Sequence, residues 1–309
     1  MSMYMKKNGS VSSRPERMRS TPSLVQLSRA VVLGLPLALI FALILGPLAI
    51  TLLVSFWQKV GFSMRPAMSF ENYATFFSGT RLNVFLRSLW VGVSSAMLML
   101  LIAYPIAYLI ATRLRAALVR PVLFLFAVPF LVNYVVRTFS WSEILSRTGP
   151  VNSALIALGI VERPQDWLLY SDFAVYLGLI TAYMPFMVFP IWLSLSGIDR
   201  RLVEASWMLG ESPFSTFRRV VFPLSMPGVM AAAIFGFVGA FGEVAVSLIL
   251  GGTGYQLLGN TIQSALNTLH YPLAAAISSV ATILMLALIM LWAQFFDLRL
   301  LLGKIMGRI

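Results

Sequence analysis

Six stretches of this sequence are each long and apolar enough to cross a lipid bilayer, and nothing else restricts the fold as strongly. They run over residues 30–57, 86–111, 122–140, 173–196, 227–250 and 273–296. A helix covers the hydrocarbon core with about 20 such residues. Lipid offers no partner to an open N–H or C=O, so a spanning segment must close its own hydrogen bonds as a helix. The expected fold class is therefore all-α, a polytopic membrane protein with six transmembrane helices. Composition agrees: only 11% of residues are charged, less than half of the roughly 25% usual in soluble domains. The first stretch exceeds the roughly 7–15 apolar residues of a signal-peptide core and has no small-residue cleavage site after it. Residues 1–29, Ser-rich and basic, read as a disordered cytoplasmic tail, residues 30–300 as the membrane domain, and 301–309 as a cytoplasmic end.

The basic residues orient the spans. With the N-terminus in the cytoplasm, 16 of the 23 Lys and Arg residues fall on the inner side, including Arg113, Arg115 and Arg120 after the second span and Arg200, Arg201, Arg218 and Arg219 after the fourth. This bias predicts an N-in, C-in arrangement. It also accounts for a sequence pI near 10.5 without invoking nucleic acid. The chain has no Cys and a single His, His270, which leaves no thiolate or imidazole cluster for a metal.

The long connection 198–223 is then cytoplasmic. Leu202, Ala205, Met208 and Leu209 recur at helical spacing, and Gly210 can end that helix. Ser212-Pro213 reads as an N-cap followed by Pro in the first turn of a second helix. Phe214, Phe217, Val220 and Val221 would form its apolar face, with Arg218 and Arg219 at its C-terminus. A pair of helices lying on the lipid headgroups and a knob that docks on a partner both fit this pattern.

Glu204-Ala205-Ser206, Gly210 six residues after the Glu, and Val220-Val221-Phe222-Pro223 together resemble the EAA loop of ABC importer permeases, whose pattern is E-A-A-x3-G-x9-I-x-L-P. Ser206, Val220 and Phe222 depart from that pattern. The similarity continues through "SFENYATFF", "VPFLVNYVVRTFSW", "GPVNSALIALGI" and "YMPFMVFPIWLSLSGIDRRLVEASWMLG". These segments resemble spermidine/putrescine permeases of the first-subunit kind, over roughly residues 30–300. The resemblance implies a type I importer permease in a bacterial inner membrane, forming half of a solute pathway. Its implied partners are ABC ATPase subunits, a second homologous permease and an extracytoplasmic solute-binding protein. It further implies that Glu204, Ala205, Gly210, Phe214, Phe217, Arg218 and Pro223 couple the chain to the ATPase. Glu204 would orient the docking surface, and Phe214 or Phe217 would insert into the ATPase cleft. ATP and Mg would then be held by that partner, with no cofactor in this chain. No G-x4-G-K-[ST], H-E-x-x-H or G-x-S-x-G occurs, so the sequence offers no catalytic site of its own.

One acidic residue lies inside a span, Glu243. An ionised carboxylate near the bilayer centre costs about 2.5–3.5 kcal/mol on insertion scales. In a continuous third span, Pro129, Asn133, Arg137 and Trp141 share one face, and Arg137 sits roughly 24 Å along its helix, as Glu243 does along its own. Two readings follow: a structural Arg137–Glu243 ion pair, or a pathway lined by Glu243, Asn133, Arg137 and Trp141 that recognises a cationic solute. First-subunit polyamine permeases carry an acid shortly before the Gly-Gly that closes the fifth span. Leu248 stands there in this chain, so opines and other solutes stay open. A stand-alone secondary transporter using Glu243 as a proton relay is the rival class.

Overall fold

The structure, a computed structural model, describes residues 24–295; the expected tail (most of 1–29) and C-terminal end (301–309) fall outside these, apart from 24–29. Two compact units divide the chain, one ending at Ile50 and one beginning at Thr51. The first contributes most of helix α1 (Leu24–Ser55), which is apolar enough to give a mean hydropathy of 2.5 over Ala38–Ser55 and holds Pro36 and Pro47 within it.

In the second unit a two-stranded hairpin (β1 Gln58–Val60, β2 Ser63–Arg65) and short helix α2 (Glu71–Phe77) precede α3 (Thr80–Thr112). Helices α4 (Ala116–Leu131), α5 (Tyr134–Leu145), α6 (Pro150–Ala157) and α7 (Asp172–Ser196) follow. The cytoplasmic connection holds α8 (Arg200–Met208) and α9 (Pro213–Thr216). The chain then passes through α10 (Phe222–Phe241), α11 (Ala245–Leu250), α12 (Leu258–Asn267) and α13 (Tyr271–Phe295). Among the described residues five helices are long and apolar enough to span, and the bent pair α4–α5, counted as one span, brings the number to six.

The core is a triad of α3, α7 and α10. Met99, Ala103 and Ala107 of α3, Leu179, Met187 and Ile191 of α7, and Ala232 and Ala240 of α10 are fully or almost fully buried. Between helices in lipid the contact area comes from close backbone approach, and small residues supply it. A Cβ on Gly228 would lie 2.3 Å from the Pro190 carbonyl oxygen, and one on Gly239 would strike the Tyr183 ring at 2.5 Å. A second cluster joins α2, α10, α12 and α13 through Phe76, Phe241, Leu258, Leu273 and Ile277. On the outer side the Arg87 guanidinium lies 4.2 Å from the Tyr255 ring centroid and 3.5 Å from Asp172, whose Oδ1 also accepts the Tyr255 hydroxyl at 2.7 Å. This ties the starts of α3 and α7 to the turn at 251–257.

Two expected spans are not continuous. The third turns by 83° between α4 and α5. Pro129 has no N–H for the Leu125 carbonyl, Val132 is extended, and Asn133 starts a new helix by accepting the Val135 N–H at 2.9 Å. The expected shared face of Pro129, Asn133, Arg137 and Trp141 therefore does not exist; Pro129 belongs to one helix and the others to the cap and body of the next. The fifth span breaks at Gly242-Glu243-Val244, between α10 and α11.

Candidate functional site

The two breaks lie beside each other, because α11 packs on α5 and α7. Each leaves helix-end groups without intrahelical partners, at a depth where water cannot supply them. The intramembrane charges supply them instead. One Glu243 carboxylate oxygen, Oε1, accepts the backbone N–H groups of Val244, Ala245 and Val246 at 3.1, 2.8 and 3.1 Å, capping the N-terminus of α11. Its other oxygen, Oε2, accepts the Tyr183 hydroxyl from α7. Across the way, Arg137 Nη1 donates to the Pro129 carbonyl at 2.8 Å, near the C-terminus of α4. An anion at a helix N-terminus and a cation at a C-terminus both complement the helix dipole.

Of the two readings, the Arg137–Glu243 ion pair is not formed: among the described residues neither charge is in any of the three ion pairs, Arg137 bonding a backbone carbonyl and Glu243 three backbone amides and the Tyr183 hydroxyl. Tyr183 stands between them, hydrogen-bonded to Glu243 and within electrostatic reach of Arg137. Asn133 holds the cap of α5, and half-buried Trp141 packs against the main core. Glu243 itself is 5% exposed. Ser247 Oγ, one turn into α11, donates to Asn260 Oδ1 at 2.7 Å, and Gly259 sits so close to the break that a Cβ would lie 2.8 Å from the Gly242 oxygen. Helix α12 thus braces α11 from behind. Tyr183 was missed in the sequence because a lone Tyr among apolar residues carries no spacing signal; the small Gly239 opposite its ring is the one hint.

The cytoplasmic knob forms largely by the expected local rules. Asp199 caps α8 by accepting the Arg201 N–H at 3.0 Å, and Gly210 takes φ +80° beyond its end, a conformation that suits a residue without Cβ. Ser212 caps α9 through the Ser215 N–H at 3.2 Å, with Pro213 in the first turn. The two helices are pinned by a buried hydroxyl pair, Ser206 Oγ to Thr216 Oγ1 at 2.9 Å. Glu211 and Arg219 form an ion pair at 2.5 Å. The Glu211 carboxyl is held below its ordinary range, chiefly by a hydrogen bond from Ser215 and then by Arg219.

Two expectations about this knob need correction. Arg218 and Arg219 do not end a helix: α9 continues through a π-helical turn (Phe217–Val221) into α10. Pro223 cannot donate to the Arg219 carbonyl, and a turn of wider pitch absorbs that missing bond. Phe217 does not project outward either. Its ring packs edge-on against Tyr104 and Tyr108 of α3, at 5.9 and 5.7 Å between centroids. Phe214 is the outward ring, 73% exposed beside Met208 at 89% and Leu209 at 84%. Glu204, Ala205 and Arg218 are exposed on the same knob, as is Pro223 at its base.

An α-helical membrane core, a capped cytoplasmic knob and no ATP-binding motif describe a transporter's membrane subunit. Residues 99–301 match the family of binding-protein-dependent transport system inner membrane components, and the chain belongs to that family. It is a permease subunit of a binding-protein-dependent ABC importer, located in the inner membrane. ATP hydrolysis belongs to a separate subunit.

Over 251 residues it is 32% identical to the spermidine/putrescine transport system permease protein PotB of Haemophilus influenzae, covering 81% of this chain and 87% of that protein. PotB of Escherichia coli is 34% identical over 74% of this chain and 83% of its own length. The inner membrane ABC transporter permease protein YdcU of Escherichia coli is 28% identical over 79% and 86%. In fold the chain is similar to a bacterial ABC transporter involved in the import of the acidic polysaccharide alginate. That match has a TM-score of 0.68 and 16% identity, and it covers 87% of this chain and 94% of the other.

Proposed function

We propose that this permease carries a small organic cation of the polyamine class, with putrescine and spermidine as the first candidates. The observation that carries the reading is a buried carboxylate, Glu243, at the junction of two broken spans, in a chain about one third identical to PotB proteins. Discontinuous helices in a membrane domain are tolerated where they line a cavity or are buried in protein. Oε1 of Glu243 is taken by three backbone N–H groups, so Oε2 and the Tyr183 hydroxyl are the acceptors left for an ammonium group. Asn133, Arg137 and Trp141 border the same junction on α5. Arg137 would keep the path from holding a cation too tightly.

In the assembled importer this chain would pair with a second homologous permease on two ATPase subunits, which would hold ATP and Mg. The knob from Glu204 to Arg219 would dock on one ATPase, with Glu204 orienting the surface, Ala205 and Arg218 flanking it, and Phe214 inserting with Met208 and Leu209. Gly210 would set the bend between the two helices and Pro223 the root of the knob.

The test is ATP-dependent uptake of labelled putrescine and spermidine by the reconstituted importer. Saturable uptake that Glu243→Gln abolishes, while the complex still assembles and hydrolyses ATP, is the expected result. An active ATPase with no uptake of either amine overturns the polyamine reading.

A further inference from the structure

His270, the only histidine of the chain, caps the last span with its ring. Nδ1 accepts the backbone N–H of Leu273 at 3.3 Å, in the first turn of α13. Accepting there requires a lone pair on Nδ1, so the imidazole is neutral with its proton on Nε2. Protonation would place an N–H against an N–H and set a positive charge on the positive end of the α13 dipole.

The charges around the ring push the same way. Partial burial disfavours the imidazolium most, Lys59 on β1 and then Arg81 on α3 add to it, and Glu71 on α2 is the one carboxylate acting against them. The remaining elements packed on α13, α10 and α12, carry no ionisable side chain. Together, burial and these cations hold His270 below its ordinary value. The ring borders a polar cavity of about 270 Å³, lined also by Lys59, Glu71, Asn72 and Thr75, which gives outside water and protons access.

What the cap secures is the corner between α12 and α13. That corner contains Leu269 at φ +55°, a conformation unusual for a non-glycine residue. It is held by the His270 N–H on the Ala265 carbonyl at 2.8 Å and by Lys59 Nζ on the Thr268 carbonyl at 2.8 Å. The same α12 contacts the broken fifth span through Asn260 and Gly259.

We propose that His270 is a proton sensor on the outer face: external acidification protonates it, uncaps α13 and loosens the α12–α13 corner that braces α11. The direction follows from linkage. A histidine held neutral in the folded protein contributes its full stabilisation above about pH 6.5, the unfolded value. The contribution declines as pH falls from there through the lower folded value and is gone below it.

The experiment is hydrogen–deuterium exchange over residues 258–275 in the assembled importer between pH 7.5 and 5, corrected for the intrinsic rate. Three proteins are compared: wild type, His270→Asn, which keeps an acceptor at the cap but does not titrate, and His270→Asp. In wild type, protection should fall severalfold as pH drops, with a midpoint below about 6.5. Both variants should lack that step. The same loss of protection in all three proteins, or a flat wild-type profile, overturns the proposal. Should His270→Asn fail to assemble, wild type against His270→Asp decides it.

Discussion

The cytoplasmic knob and the junction of the broken spans solve the same problem in different solvents. Both contain helix ends whose N–H groups need acceptors. In the knob the acceptors are the short neighbouring side chains Asp199 and Ser212, each reaching two or three residues along the chain. At the junction Asn133 and Glu243 likewise cap the residues just after them, but the Glu243 break is also tied to distant elements: Glu243 to Tyr183, sixty residues earlier, and α11 to α12 through Ser247 and Asn260. Water can replace a lost cap in the knob and cannot do so at membrane depth. The junction should therefore fail as a fold when altered, and the knob should fail as a docking surface.

The largest expected effect is that of Glu243→Ala. Three amides would lose their common acceptor, and each buried unsatisfied donor costs about 1–3 kcal/mol. Assembly and uptake should both collapse, with a fall in the melting temperature of the purified complex. Glu243→Gln keeps an oxygen for those amides, so its complex should assemble; equal instability of the two variants would show that charge rather than capping holds α11.

Glu204→Lys comes next, with co-purification of the ATPase reduced at least tenfold, the equivalent of about 1.4 kcal/mol. Wild-type thermal stability of the permease itself is expected there. Loss of the fold instead would erase the contrast between the two regions. Tyr183→Phe removes one bond to a charged acceptor, about 1.5–3 kcal/mol, and should lower both stability and uptake by less than Glu243→Ala.

Ser206→Ala should cost about 1 kcal/mol, and Thr216→Val added to it should cost little more, since the pair is lost once; a double-mutant cycle measures this coupling. The smallest change is expected from Glu211→Gln at pH 7. The stabilisation by Glu211 is present above its unfolded value of about 4.5 and lost as pH falls through the lower folded one. Its ion pair is largely exposed and should contribute little, so ATPase binding at pH 7 should be nearly unchanged.

The same contrast explains what the sequence discloses. Caps in the knob are encoded by nearest neighbours, so Ser212-Pro213 and Gly210 announce its two helices. The six apolar segments likewise announce the span count. Hydropathy does not announce where a span breaks, because Val132 and Val244 look like any other residue of an apolar run. The signals were present but weak: Pro129 four residues before Asn133, and Gly242 beside Glu243. Reading Arg137 and Glu243 as a pair was natural at similar depth, yet backbone polar groups at a helix end compete for an intramembrane charge as effectively as an opposite charge does. Phe217 was misread because an apolar face does not say whether it meets its own chain or another. The Tyr104–Tyr108 pocket that receives it is on α3, more than a hundred residues away.

The helix from Pro213 to Phe241 is unbroken apart from its π-helical turn and runs for 29 residues, about 43 Å. It joins the knob directly to the break at Glu243. A rod of that length works as a lever: tilting its base by about 5° carries its far tip through about 4 Å. Motion too small to disturb packing at the inner surface therefore suffices, at the outer half of the membrane, to move Glu243 by more than the length of a hydrogen bond.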